Sequence, residues 1–280
     1  MQSLRHQTIR WIEASRARLR DSRWARYIPV RFITHYVIPL IGPGGKVPYD
    51  SQSYWDRWYA QASEFSDGIT IDDTSYNPLF VRYHYNSTEN SILQHFSRNP
   101  PPAQPAVLDI GSGAGHWIEF YRDVFRARQV TGLDTSRSCV AALQEQWADT
   151  NNVFVRQADI SQPGLGLEEG PFDLISAIGV MFHIVNDQDW ERALQTMARH
   201  LHPRGTIIVG GHFGWITQNV QFCGTKENPH AYVNKRVRSL SRWRRVAMKC
   251  GLTIVGLQRT RSFRGIRTPQ NDILFLSLKT

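Results

Sequence analysis

The chain has 280 residues, 41% of them hydrophobic and 20% charged, and a formal net charge of +9. This balance excludes a disordered or fibrous protein and is enough for one large domain, or two small ones, with a full hydrophobic core. Its three cysteines, Cys139, Cys223 and Cys250, are odd in number, widely spaced and lack a C-x-x-C pair, so a disulfide framework or zinc site is not suggested, and a reducing, cytoplasmic setting without a bound metal is expected.

The charge sits mainly at the start of the chain. Residues 1 to 31 hold eight arginines against Glu13 and Asp21, leaving the remainder close to neutral. A near-neutral body argues against a broad phosphate-tracking groove, and hence against nucleic acid as a partner. The basic arm, residues 1–45, places Ile9, Ile12 and Leu19 on one helical face. Such an arm either packs on the protein with its charges in water or touches a membrane surface or a protein partner. A transit segment is a third reading, opposed by Glu13 and Asp21. Residues 28 to 41 are apolar but broken by Pro29, Arg31, His35 and Pro39, and fall short of the roughly 18 residues of a spanning helix.

Residues 46–102 form a helical, aromatic-rich segment that includes Tyr54-Trp-Asp-Arg-Trp-Tyr59 and Asn77 to Tyr85, and end in the linker Asn99-Pro-Pro-Pro102. The third region, 103–280, begins with Ala106 to Ile110, a short apolar run of the kind that forms a central parallel strand. Gly111, Gly113 and Gly115 then permit a tight turn that a ligand can approach closely, with Asp109 at the strand's end. Two further strands, Gln129 to Asp134 and Val153 to Ile160, also bring up aspartates, so that Asp109, Asp134 and Asp159 recur every 25 residues, about the length of a strand-helix unit. A fourth strand and its loop run from Phe172 to His183, and Asn186 or Asp187 caps a helix through Leu201. A turn at Leu201 to Gly205 leads to a strand over Thr206 to Gly210, and a long loop, 211–238, follows. A helix from Ser239 to Lys249 and strands over Leu252 to Gln258 and Ile273 to Leu278 complete an α/β, doubly wound pattern.

Glycine-rich turns of this kind also bind dinucleotides. That fingerprint needs its third glycine where His116 stands. The pattern actually present, D-x-G-x-G-x-G from Asp109 to Gly115, resembles the first motif of the class I S-adenosylmethionine-dependent methyltransferases. The resemblance covers residues 105 to 211 densely and the tail more loosely. It implies a Rossmann-like, mostly parallel seven-stranded sheet with an antiparallel last strand and an N-terminal helical extension. It further implies S-adenosylmethionine as cofactor, held by Asp109, Gly111, Ser112, Gly113, Gly115, Asp134, Thr135, Asp159, Ile160 and Ala177. Trp55, Asp56 and Tyr59 resemble a W-D-x-x-Y-like helix that folds over the cofactor, although single rings of this kind are more often core.

The acceptor is expected to be a small molecule, methylated at a hydroxyl oxygen. His183 lies just past strand four, beside the expected methyl group, as either a general base or a packing histidine, and His212 is the reserve base. Two motifs are rejected. Asn99 to Pro102 lacks the terminal aromatic of the base-amine motif N-P-P-[YF] and stands before the first strand, and no cysteine falls in the loop after strand four. A carbon, nitrogen or lipid-like acceptor at a membrane surface is an alternative, and a non-catalytic S-adenosylmethionine-binding partner protein is a second. Residues 211–238 are expected to recognise the substrate.

Overall fold

The computed structural model describes residues 50–60, 78–165, 167, 170–211, 213–214, 216–223, 232–259 and 272–279. The basic arm, His212, Trp215 and His230 therefore lie outside the described residues. Helices α1 (Ser51–Ala60) and α2 (Pro78–Phe96) precede a strand-helix alternation: β1 (Ala106–Ile110), α3 (His116–Asp123), β2 (Gln129–Asp134), α4 (Arg137–Gln146), β3 (Val153–Gln157) and β4 (Phe172–Ile178). Then come α5 (Asp187–His200), β5 (Leu201–Gly211), the short strands β6 (Phe213–Gly214), β7 (Gln218–Cys223) and β8 (Tyr232–Ser239), α6 (Leu240–Lys249), β9 (Leu252–Gln258) and β10 (Asp272–Leu278).

The main sheet has seven strands in the order β3-β2-β1-β4-β5-β10-β9. Strands β1 to β5 are parallel, and β10 runs antiparallel to both β5 and β9. Every residue of β1 is buried, as its continuous apolar run requires of a strand covered on both faces. Side chains of β10 show how the two faces are separated. Leu274 and Leu276 join Trp190, Leu194 and Met197 of α5 and Trp243 and Val246 of α6 on one side. Ile273 and Phe275 join Ile92 and Phe96 of α2, Trp117 and Tyr121 of α3 and Leu143 of α4 on the other. Alternate residues of a strand point to opposite faces, so each strand stabilises both layers.

Helix starts follow the chemistry of their caps. The Asn186 side chain accepts from the Gln188 and Asp189 amides, and Ser239 caps α6 by accepting from the Arg242 amide. Two expectations differ from the structure. The turn predicted at Leu201 to Gly205 is the irregular start of β5, where Leu201 pairs with Phe172 before the register shifts. Pro203 is tolerated because β10 pairs only with Ile207–Gly211, leaving the earlier stretch without a ladder on that side. The predicted loop 211–238 contains strands. β7 and β8 pair antiparallel and β6 joins β8, giving a second, three-stranded sheet. Among the described residues no helix is long and apolar enough to cross a membrane.

Candidate functional site

The turn after β1 passes over the end of β2. The amides of Gly111 and Ser112 both donate to the Leu133 carbonyl, at 2.6 and 3.1 Å. Gly111, Gly113 and Gly115 have φ of 70°, 54° and 91°, in the left-handed region that disfavours side chains. At Gly111 a Cβ would also stand 2.3 Å from Val180 Cγ2, so the loop after β4 lies directly against the turn. The Ser112 hydroxyl is spent on the Asp109 carbonyl at 3.2 Å.

Asp134 joins this turn to the next element. Its Oδ2 accepts from the Gly113 amide at 3.1 Å and its Oδ1 from the Ser136 amide at 2.9 Å. Burial raises its pKa, and those amide bonds pull the other way. The Cys139 thiol and the Thr135 amide lower it further. Asp109 is fully enclosed, and neither of its carboxylate oxygens has a hydrogen-bond partner. Burial pushes its pKa up to about 7, opposed by the Ser112 and Ser176 hydroxyls and reinforced by the charge of Asp134.

Helix α1 closes one side of the site. Asp56 accepts from the Ser136 hydroxyl at 3.0 Å, the Ser138 amide at 3.0 Å and the Ser138 hydroxyl at 2.9 Å. A carboxylate at the N-terminus of α4 answers the unpaired amides and the positive end of the helix dipole, and these bonds lower its pKa. Docking in this way brings Trp55 edge-on to His183, with ring centroids 5.1 Å apart. Tyr59 is buried, 6.1 Å from Trp55.

His183 is buried, its Nδ1 has no hydrogen-bond partner, and its pKa is lowered well below the usual value by burial and by the charge of Lys235. Its loop is clamped by β8. The Arg236 amide donates to the Phe182 carbonyl at 2.7 Å, and the Arg238 guanidinium donates to the carbonyls of Met181, Ile184 and Asn186 at 3.3, 2.8 and 3.3 Å. Arg238 is 1% exposed, lies 4.4 Å over the Trp190 ring and pairs with Asp187 at 3.0 Å. Burial pushes its pKa down to about 10, against the opposing pull of Asp187, so it stays charged at neutrality. Arg236 and Arg242 share the same carboxylate.

The structure gathers Asp109, Gly111 to Gly115, Asp134 and Thr135 at the carboxyl ends of β1 and β2, with Trp55 and His183 across from them. Asp159 is engaged in its own turn, accepting from the Ser161 amide and hydroxyl at 2.8 and 2.7 Å. The side chain of Ile160 belongs to the apolar core, and Ala177 is fully buried within β4. Gly179, two residues further on, has a φ of 81° and nothing within 4 Å of where a Cβ would stand. The side chain of His116 meets α2: Nε2 lies 2.8 Å from Glu89 and the ring lies against Tyr85. Sequence reading passed over Gly179, Lys235 and Arg238. The only signal for the last two was the alternation Lys235-Arg-Val-Arg238 in a stretch read as loop.

Comparison with known proteins agrees with this arrangement. Residues 107–205 match the family model described as a methyltransferase domain. Solved structures of the same fold include a 1,6-didemethyltoxoflavin N1-methyltransferase from Burkholderia thailandensis, 16% identical, covering 84% of this chain and 94% of that one with a TM-score of 0.58. A magnesium protoporphyrin IX methyltransferase from Synechocystis is 15% identical and covers 84% and 100%, also with a TM-score of 0.58. An uncharacterized Synechococcus protein is 26% identical over 131 residues, 46% of this chain and 30% of its own length. Residues 107–205 thus match a methyltransferase domain, and the solved methyltransferases share the fold of this chain.

Proposed function

We propose that the protein transfers a methyl group from S-adenosylmethionine to an oxygen of a small molecule. The observation that carries the donor assignment is the left-handed glycine turn tied to Asp134, with the unpartnered carboxylate of Asp109 beneath it. Solved relatives support the same reading: the Burkholderia enzyme is crystallised with S-adenosylhomocysteine and the Synechocystis enzyme with S-adenosylmethionine.

The residues present fit that group. Asp134 stands at the end of β2, where an acidic residue meets ribose hydroxyls in sheets of this kind, the turn lets backbone approach the ligand, and Asp109 and Asp134 supply negative charge to a cationic ligand. When bound, S-adenosylmethionine supplies an electrophilic methyl on a good leaving group. Trp55 and the docked α1 exclude water and offer an aromatic face to a cation. His183 is the polar side chain across from the turn and hydrogen-bonds the acceptor. Isothermal titration of the full chain with S-adenosylmethionine and S-adenosylhomocysteine tests the donor, and a small-molecule screen reading S-adenosylhomocysteine release tests the acceptor. Heatless titrations with both ligands would overturn the proposal.

A further inference from the structure

The neighbours of His183 narrow the acceptor class, an inference that rests on the methyltransferase reading. His183 is edged by Trp55 at 5.1 Å and by Phe182 at 4.4 Å between ring centroids. The ammonium of Lys235, a residue only 8% exposed, stands 5.2 Å over the Phe182 ring. Phe182 in turn lies against Gly211, where a Cβ would meet its Cε1 at 2.5 Å. The φ of 136° at Gly211 adds to the requirement for glycine there. This group of side chains therefore collects at the carboxyl ends of β4 and β5, the same edge as the glycine turn. Alternation along β8 explains the placement. Arg236 and Arg238 turn together toward Asp187, which sends Lys235 to the opposite face, toward Phe182.

A neutral hydroxyl is a poor match for these surroundings. It must shed a proton as it is methylated, and delivery of that proton to His183 would place an imidazolium beside a buried ammonium. Like charges repel more strongly away from water, and burial already disfavours the charged ring. An oxygen that arrives ionised avoids the step. Its lone pair forms the new O–CH3 bond while the C–S bond breaks, the bonding pair passing to sulfur, which becomes a neutral thioether. No proton moves, and no base is consumed. The ammonium of Lys235 balances the oxyanion, and His183, as the neutral Nδ1–H tautomer, donates a hydrogen bond to it.

We infer that the acceptor is an acid, a carboxylate or an acidic phenol, bound as its oxyanion by Lys235 and His183. The test uses the full chain and matched panels of carboxylic acids, phenols, amides, neutral alcohols and amines, with S-adenosylhomocysteine release as the readout. Mass spectrometry separates the two acid sources by product, ester from ether. Turnover is expected for acids alone. Lys235→Met is expected to raise KM for the active acid by about 10-fold or more, the scale of one lost charge-assisted hydrogen bond. Calorimetric affinity for S-adenosylmethionine should be unchanged in that variant, and Lys235→Arg should restore most of the acid's binding. Turnover restricted to amines or neutral alcohols would overturn the inference, as would no acid turnover in a chain that binds S-adenosylmethionine, or an unchanged acid KM in Lys235→Met. Each of these leaves the donor assignment standing. Failure of the unaltered chain to bind S-adenosylmethionine overturns the methyltransferase reading, and this inference with it.

Discussion

Asp109 sits where a carboxyl group is costly, fully enclosed and with neither oxygen hydrogen-bonded, and burial pushes its pKa up to about 7. In the unfolded chain it ionises near 3.9. The folded protein therefore holds this proton at pH values where the unfolded chain has released it. For this group stability is fully present below about pH 4 and is lost as pH rises toward 7, by up to about 4 kcal/mol. Replacement by the isosteric amide removes that loss. Asp109→Asn should match the unaltered protein in urea unfolding at pH 4 and exceed it at pH 8, the gap opening between. Parallel stabilities across that range would show that Asp109 is not the buried acid described. The same side chain illustrates how a site stores unfavourable electrostatics: a cationic ligand at the turn favours the ionised form that burial disfavours.

At the scale of elements, two clamps hold the site together, and they make separate predictions. The first is α1, fixed to α4 through Asp56. Asp56→Ala removes three hydrogen bonds and a helix-end charge, so amide hydrogen exchange across Ser51–Ala60 should accelerate. Affinity for S-adenosylmethionine should fall about 10-fold as Trp55 loses its seat against His183. Equal exchange and equal affinity would mean that α1 is not a lid. The second is Arg238, which ties β8 to the loop after β4. Arg238→Met leaves three carbonyls without their donor, at a cost of about 3 kcal/mol in urea unfolding, and Arg238→Lys should not recover it because an ammonium lacks the planar fork. Recovery by lysine would reduce the clamp to simple charge. These ties also show what could be read in advance. The strands of the main sheet were legible because β1 and β4 are largely apolar runs and β2 ends in an aspartate one strand-helix unit after β1, and α5 and α6 because Asn186 and Ser239 cap them. The aspartates and glycines of the turn were legible from spacing. Strands β7 and β8 were not, since their polar residues pair with each other rather than with the main sheet. Nothing in the sequence marks Lys235 and Arg238 as enclosed, because burial of a cation depends on what the rest of the chain packs around it.

The whole molecule places three otherwise distant segments on one edge of the sheet: the turn after β1, the helix α1 and the loop after β4. Each is tied to the core by a few hydrogen bonds, so a ligand seated among them adds contacts that the unfolded chain cannot make. Binding must then appear as stability. At a hundred times its dissociation constant, S-adenosylmethionine should stabilise the fold by about 2.7 kcal/mol, which for a chain of this size is a rise in Tm of roughly 5–10 °C. Asp134→Asn keeps the volume of the side chain but loses its charge and one amide partner, and a 10-fold weaker affinity would cut the gain at the same ligand concentration to about 1.4 kcal/mol. NAD is the informative control. Its fingerprint wants glycine at the position of His116, whose side chain is committed to Glu89 and Tyr85 on α2. A dinucleotide should therefore leave Tm unchanged in scanning fluorimetry while S-adenosylmethionine raises it, and the reverse pattern would assign the turn to the other cofactor.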